Sequence, residues 1–190
     1  MPSLRPTAQE QKEKQEEEHE YAPIVASNLD YHDFSYKTLD GKPVSLREYL
    51  DGKRLVIVDY AAAWCKNTNY NGPVVKRLYD KYKDRGLGVV VVMEYSDPEE
   101  IRIHINRIGI DYPVVIETKS REEREKSTHY KYRSGVGDKR KWGTPFYVLI
   151  DSRDVVPPVP QLPVAVRVYT ASGELIETEA ERFIELHLAR

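Results

Sequence analysis

Residues 54–73 read RLVIVDYAAAWCKNTNYNGP, and the fold turns on them. Arg54 to Tyr60 is a nearly unbroken apolar run rich in β-branched side chains, the pattern of a strand buried on both faces of a sheet. It passes through Ala61, Ala62 and Ala63 into Trp64 and Cys65, after which Val74, Val75, Leu78, Tyr79 and Tyr82 recur at helical spacing. That spacing predicts a helix ending near Arg85-Gly86. Cys65 thus falls between a buried strand and a helix N-terminus, where unpaired backbone N–H groups and the positive end of the helix dipole favour a thiolate. The competing reading of a lone cysteine is a small buried hydrophobe.

The same alternation continues on both sides. Leu87 to Met93 predicts a second buried strand, and Asp97-Pro98 opens a helix whose inner face is Ile101, Ile105 and Ile108 up to Gly109. Tyr112 to Ile116 predicts a short strand and Ser120 to Tyr130, beginning SREERE, a helix. Phe146 to Asp151 and Val164 to Thr170 predict two further strands, followed by the Ser172-Gly173 turn and a last helix over Thr178 to Leu188. Upstream, Phe34 to Leu39 and Lys42 to Leu46 flank the Asp40-Gly41 turn as a hairpin, and Ser45 caps a short helix from Leu46 to Leu50. The order implies an α/β or α+β sandwich around a central sheet.

Composition narrows the function classes. With 190 residues, 40% of them hydrophobic, the chain suits one domain plus appendages. Lys and Arg number 29 against 31 Asp and Glu, a net charge of −2 that argues against a whole-chain nucleic-acid binder. The single cysteine rules out an internal disulfide and a multi-cysteine zinc site, and the five histidines show no ligand spacing, so no metal is expected. The longest apolar run, Val89 to Met93, is far too short to span a membrane. With no export signal as written and one unpaired thiol, the cytoplasm is expected, or the periplasm if a signal was trimmed.

Residues 1–30 are expected to be an acidic arm, disordered or a solvated helix, because Gln9 to Glu20 (QEQKEKQEEEHE) holds six Glu, two Lys and no apolar anchor. The domain is expected over 31–190. Within it Ser152 to Pro163 carries four of the twelve prolines and predicts an extended, polyproline-II-like insertion. Lys119 to Lys141 holds nine Lys and Arg against four Asp and Glu, either a solvated face and basic loop or a nucleic-acid contact.

From Phe34 to Arg190 the chain resembles the thioredoxin superfamily, particularly the TlpA-like thiol-disulfide oxidoreductases and related redoxin domains. Trp64-Cys65 is similar to the family's Trp-Cys pair at the head of the active-site helix. Asp59, six residues earlier, matches its buried acid, and Pro73, eight residues later, the proline inside its active-site helix. Gly143-Thr144-Pro145 before FYVLID resembles the loop that supplies the family's cis-proline. The resemblance implies a thioredoxin-like three-layer α/β/α sandwich with a central mixed sheet. It also implies that Trp64, Thr144 and Pro145 bind substrate, and that the Pro-rich insertion lies at the pole opposite Cys65.

The chain departs from the family at Cys65-Lys66-Asn67-Thr68, where threonine replaces the second cysteine of Cys-x-x-Cys. Thr68 cannot resolve a mixed disulfide, so dithiol turnover is excluded unless a partner supplies the second thiol. What the resemblance leaves is single-cysteine exchange with a protein or small-molecule thiol or disulfide. Cys65 is then the nucleophile, Thr68 a hydrogen-bond donor to its thiolate, and Asp59 a proton-handling or structural acid. No cofactor is implied, with glutathione or another small thiol as co-substrate drawn by Lys139-Arg140-Lys141-Trp142. A degenerate, binding-only module is the alternative. A peroxiredoxin-like peroxidase is the third reading, although that family's proline and threonine positions hold Val58 and Ala62 here.

Overall fold

A computed structural model describes residues 19–159, 161–165 and 167–189. At its centre lies β5 (Leu55–Ala61), all seven residues buried, paired in parallel with β6 (Leu87–Met93) and antiparallel with β8 (Phe146–Asp151). Further out on one side, β7 (Val114–Ile116) lies parallel to β6, and the hairpin of β3 (Ser35–Thr38) and β4 (Pro43–Ser45) closes that edge. On the other side, β9 (Val168–Ala171) and β2 (Val25–Ser27) continue antiparallel. Among the described residues this makes a mixed eight-stranded sheet in the order β2-β9-β8-β5-β6-β7-β3-β4.

Strand alternation sorts β5 between two layers. Leu55, Ile57 and Ala61 pack with Val75, Leu78 and Tyr82 of α2 (Lys66–Tyr82), with Ile101 of α3 (Pro98–Ile108) and with Ala180, Ile184 and Leu188 of α5 (Glu177–Leu188). Val56, Val58 and Tyr60 pack with Leu46 and Leu50 of α1 (Leu46–Leu50) and Tyr132 of α4 (Thr128–Gly135). The result is the expected three-layer α/β/α sandwich of the thioredoxin-like fold. Each fully buried aliphatic side chain contributes about 1.5–3 kcal/mol, so the two faces of β5 hold the layers together.

Local chemistry sets the helix ends where the sequence places them. Ser45 accepts Glu48 N–H at the start of α1, and α3 begins with an Asp97/Glu100 capping box and Pro98 and ends at Gly109 with φ 73°. The expected helix over Ser120–Tyr130 is corrected. Arg121–Lys126 is a 3-10 turn closed by a Ser120/Glu123 capping box, and Ser127, extended at ψ 149°, starts α4 as a new N-cap by accepting Tyr130 N–H. The strand expected over Val164–Thr170 is also shorter, since β9 begins at Val168 and Ala165 makes only an isolated bridge to Val155.

Of the expected arm, residues 1–18 lie outside the described residues. The rest is not a free arm: β1 (Tyr21–Ala22) runs parallel to β10 (Glu174–Leu175), and β2 pairs with β9, so 21–22 and 25–27 are strands of the domain. The weak apolar pattern here conceals strands that are held by backbone pairing more than by burial. The Pro-rich segment starts with a 3-10 turn at Ser152–Asp154, and it leaves β8 at Asp151, which pairs with Leu55 at the end of β5 away from Cys65.

Candidate active site

Cys65 is the N-cap of α2. Its backbone is extended (φ −73°, ψ 128°), its carbonyl accepts Asn69 N–H at 3.0 Å, and its own N–H turns back to the Ala62 carbonyl at 2.9 Å. The side chain caps nothing in the helix. Sγ is half-buried and donates to the Thr144 carbonyl at 3.3 Å, on the N-terminal side of the cis Thr144–Pro145 peptide bond. The motif on the helix and the loop before β8, 79 residues apart, therefore meet at the thiol.

Thr68, one turn along α2, is buried, and its hydroxyl accepts Ala62 N–H at 3.4 Å. Cys65 and Thr68 share a turn, but among the described contacts they are not hydrogen-bonded to each other. Pro73 has no N–H to return to the Asn69 carbonyl, and side chains secure that turn instead. Asn69 Nδ2 donates to the Ala63 carbonyl at 3.0 Å, and Asn69 Oδ1 takes His104 Nδ1–H at 2.8 Å. Burial, and then Arg107, pulls the His104 imidazole down to about 4, which keeps it neutral.

Asp59 falls on the α2 side of β5 by alternation, paired across the ladder with Tyr147. It is 4% exposed, its Oδ1 has no hydrogen-bond partner among the described residues, and burial lifts its carboxyl to about 7. The Tyr147 phenol is raised first by burial and next by Asp59, and it donates to Asn71 Oδ1 at 2.6 Å. Asn71 also brackets Leu175 of β10, accepting its N–H at 2.8 Å and donating to its carbonyl at 3.1 Å.

The other half of the site is built from polar side chains bound to backbone. Trp64 Nε1 donates to the Tyr95 carbonyl at 2.8 Å, and Tyr95 stands at φ 55°, an uncommon left-handed value for a bulky residue. Its conformation is held at both ends: Tyr95 N–H reaches Thr118 Oγ1 at 3.0 Å, and its hydroxyl lies 2.9 Å from His129 Nδ1. His129 is fully buried, with Nε2 3.1 Å from the Gly143 carbonyl. A carbonyl only accepts, so Nε2 carries the proton and Nδ1 accepts from Tyr95. Burial is the main cause that drives the imidazole down to about 3. One chain of hydrogen bonds thereby links Trp64 to the cis-proline loop.

Two arginines complete that loop. Arg140 Nη2 donates to the carbonyls of Gly143 (3.1 Å) and Pro145 (3.0 Å), on either side of the Thr144 carbonyl that takes the Cys65 thiol. Asp138 balances its charge, at 2.7 Å from the same nitrogen. Buried Arg133 donates to the carbonyls of Asp138, Arg140 and Lys141. Over the thiol's flank, Trp142 meets Trp64 edge-on at 5.3 Å, Arg121 lies 4.4 Å above the Trp64 ring, and Arg124 and Lys141 lie over Trp142.

All six expected residues, Asp59, Trp64, Cys65, Thr68, Thr144 and Pro145, lie on this strand-helix junction and the loop facing it. Thr144 and Pro145 are buried, however, while Trp64 and Cys65 are half-exposed, so the surface open to a substrate is smaller than the resemblance implies. Tyr95, His129 and Arg133 carried no signal in the sequence, because a buried histidine and a buried arginine in a polar stretch look like solvated residues. Among the described residues no cluster of three or more His, Cys, Asp or Glu could hold a metal, and no helix is long and apolar enough to cross a membrane.

The chain is similar to known proteins in sequence and in fold. The redoxin family model matches residues 25–165. Thiol-disulfide oxidoreductase ResA of Bacillus thuringiensis is 29% identical over 84 residues, 44% of this chain and 47% of that protein, so the chain spans about half the length of that relative. A probable phospholipid hydroperoxide glutathione peroxidase of Citrus sinensis is 30% identical over 142 residues, covering 68% of this chain and 84% of the relative. Among solved structures, the thioredoxin domain of a thiol-disulfide oxidoreductase from Bacteroides vulgatus superposes with a TM-score of 0.60 at 17% identity, over 86% of this chain and 98% of that one. The family match covers both limbs of the site and the strands β2 to β8, and the chain belongs to the redoxin family, as a TlpA-like domain of the thioredoxin superfamily.

Proposed function

We propose that the chain is a thiol-disulfide oxidoreductase that works through the single thiol of Cys65, with an outside thiol completing the cycle. The observation that supports it best is the position of Sγ, half-exposed at the head of α2 and in contact with the carbonyl before the cis proline. The Cys65 thiolate attacks one sulfur of a disulfide RS–SR, forming a Cys65–S–SR bond and releasing RS⁻. A second thiolate R′S⁻ then attacks the R-bearing sulfur, releasing RS–SR′ and restoring the Cys65 thiolate. Thr68 has no sulfur to shorten this sequence, so the second step is bimolecular.

Glutathione disulfide tests this reading. Intact mass should show one glutathione adduct, absent in Cys65→Ser, which reduced glutathione clears at a rate proportional to its concentration. In Thr68→Cys the adduct should clear without added thiol, leaving an internal disulfide. Failure of the wild-type protein to form an adduct overturns the proposal and leaves the binding module.

The similarity to glutathione peroxidases supports a second reading, in which the same thiolate takes the terminal oxygen of a hydroperoxide, giving Cys65–SOH and an alcohol. Two thiols would then return it, the first releasing water and forming a mixed disulfide, the second forming the free disulfide. Val58 and Ala62 stand where peroxiredoxins place their proline and threonine, which weighs against a fast reaction. Dimedone trapping of the sulfenic acid under limiting hydroperoxide discriminates between the two.

A further inference from the structure

Glu20 is exposed, yet its side chain is held at the rim of the site. Its Oε2 accepts from Asn67 Nδ2 at 2.9 Å and from Arg140 Nη1 at 3.1 Å. Asn67 is the second intervening residue of Cys65-Lys66-Asn67-Thr68, and Arg140 holds the carbonyls on either side of Thr144. The two donors therefore come from opposite limbs of the site and converge on one carboxylate oxygen. The segment that carries Glu20 is fastened independently of this contact. Its carbonyl accepts Glu174 N–H at 2.7 Å, His19 Nδ1 lies 2.7 Å from Glu174 Oε2, and the His19 ring stacks on Tyr21 and leans on Tyr70.

A charged guanidinium beside an amide donor, at the edge of a thiol site, is a good receptor for a carboxylate. Arg140 is fixed for that role, because Nη2 and Nε are taken by Gly143, Pro145 and Asp138, which leaves Nη1 directed at Glu20. From this we infer that Asn67 and Arg140 form a carboxylate subsite of the Cys65 centre, which the chain's own Glu20 occupies until an anionic thiol substrate displaces it. The ligand class is a small thiol or disulfide bearing a carboxylate near its sulfur. Glu20 is a specificity-determining residue in this scheme: it lowers the affinity for every such ligand and disfavours neutral ones no further.

The inference deepens the single-thiol reading and rests on it for its purpose, but its test does not require Cys65 to react. The affinity of S-methylglutathione is measured by isothermal titration in a Cys65→Ser background, with Glu20 present or changed. Glu20→Ala should tighten binding at least fivefold, and Glu20→Gln, which keeps an acceptor oxygen without the charge, should give a smaller gain. The dimethyl ester of the same probe should gain nothing, and adding Asn67→Asp to Glu20→Ala should return the affinity to its starting value. Equal affinities with and without Glu20, no detectable binding in either Glu20 variant, or an equal gain for the ester would each overturn the subsite. Any of these results would leave the adduct experiment on the wild-type thiol untouched.

Discussion

The two limbs that meet at Cys65 are held by different physics. From Leu55 to Tyr82, β5 and α2 are placed by apolar side chains at strand and helix spacing, and their polar residues decorate a frame that burial has already made. From Arg121 to Pro145 a 3-10 turn and the short α4 give way to ten residues, 136–145, without helix or strand, and these are fixed by side chains donating to backbone carbonyls: His129 to Gly143, Arg140 to Gly143 and Pro145, Arg133 to three more. A limb of the first kind loses stability in increments of buried area, whereas one of the second kind loses it where a single donor or a single permissive backbone angle is removed.

Gly143→Ala should break the loop limb most severely. Gly143 stands at φ 66°, and a Cβ there would lie 2.4 Å from Cδ of Arg133, whose guanidinium is tied to three carbonyls and cannot retreat. The left-handed backbone alone costs about 1–3 kcal/mol for alanine and the overlap roughly as much again. Urea unfolding should show a loss of about 2–6 kcal/mol, and a loss below 1 kcal/mol would mean that the loop is not clamped as described.

This difference explains what the sequence could disclose. Periodicity located β5, β6, α3 and β8 within a residue or two, and α2 with an end that falls at Tyr82 and passes into a 3-10 turn at Lys83–Arg85, because in those elements the spacing of apolar side chains is the cause of the structure. It also placed Cys65 at a helix start. It could not show that Ser127 interrupts the helix begun at Ser120, since both serines carry good cap chemistry and only the chosen backbone at Ser127 decides. Nor could it recover β1 and β2, whose residues alternate too weakly, or the roles of His129 and Arg133, which depend on carbonyls distant in space. Gly143-Thr144-Pro145 was legible only by resemblance to a family.

Asp59→Asn should act on the frame with the opposite sign. The folded carboxyl keeps its proton up to about 7, while the unfolded one releases it near 3.8, so wild-type stability falls as pH rises through that window and is level above it. Replacing Asp59 by its neutral isostere should raise stability by about 4 kcal/mol at pH 8, at ~1.4 kcal/mol per unit of the window. The gap should close as the pH is lowered toward 4. A variant that is equally stabilised at pH 4 and pH 8 would show that the buried charge is not the cause.

His129→Phe keeps a ring in the same cavity and removes two hydrogen bonds from the loop limb, at an expected cost of about 1–3 kcal/mol at pH 7. It should also change the pH profile. The folded imidazole titrates at about 3 and the unfolded one near 6.5, so this group withdraws stability as pH falls between those values, and the variant lacks that loss. Asp59 and His129 therefore pull in opposite directions between pH 4 and 6.5, and the single variants should steepen the wild-type profile in opposite senses.

The smallest effect belongs to an arginine that looks, on paper, as well bonded as Arg133. Arg77 on α2 makes a two-pronged pair with Glu177 of α5, Nε to Oε1 at 2.8 Å and Nη2 to Oε2 at 2.7 Å. Its side chain is 57% exposed and that of Glu177 38%, so water and salt already screen both charges, and their separation would leave neither one buried. Arg77→Ala should change stability by less than about 1 kcal/mol, and the change should shrink further in 1 M salt. Arg133→Met, which keeps the length of the side chain, takes a donor from three part-buried carbonyls, of which only that of Lys141 keeps a second one from Arg124, and should cost several-fold more at either ionic strength. If the two substitutions cost the same, hydrogen-bond geometry rather than burial would set the worth of these arginines, and the contrast between the limbs would fail.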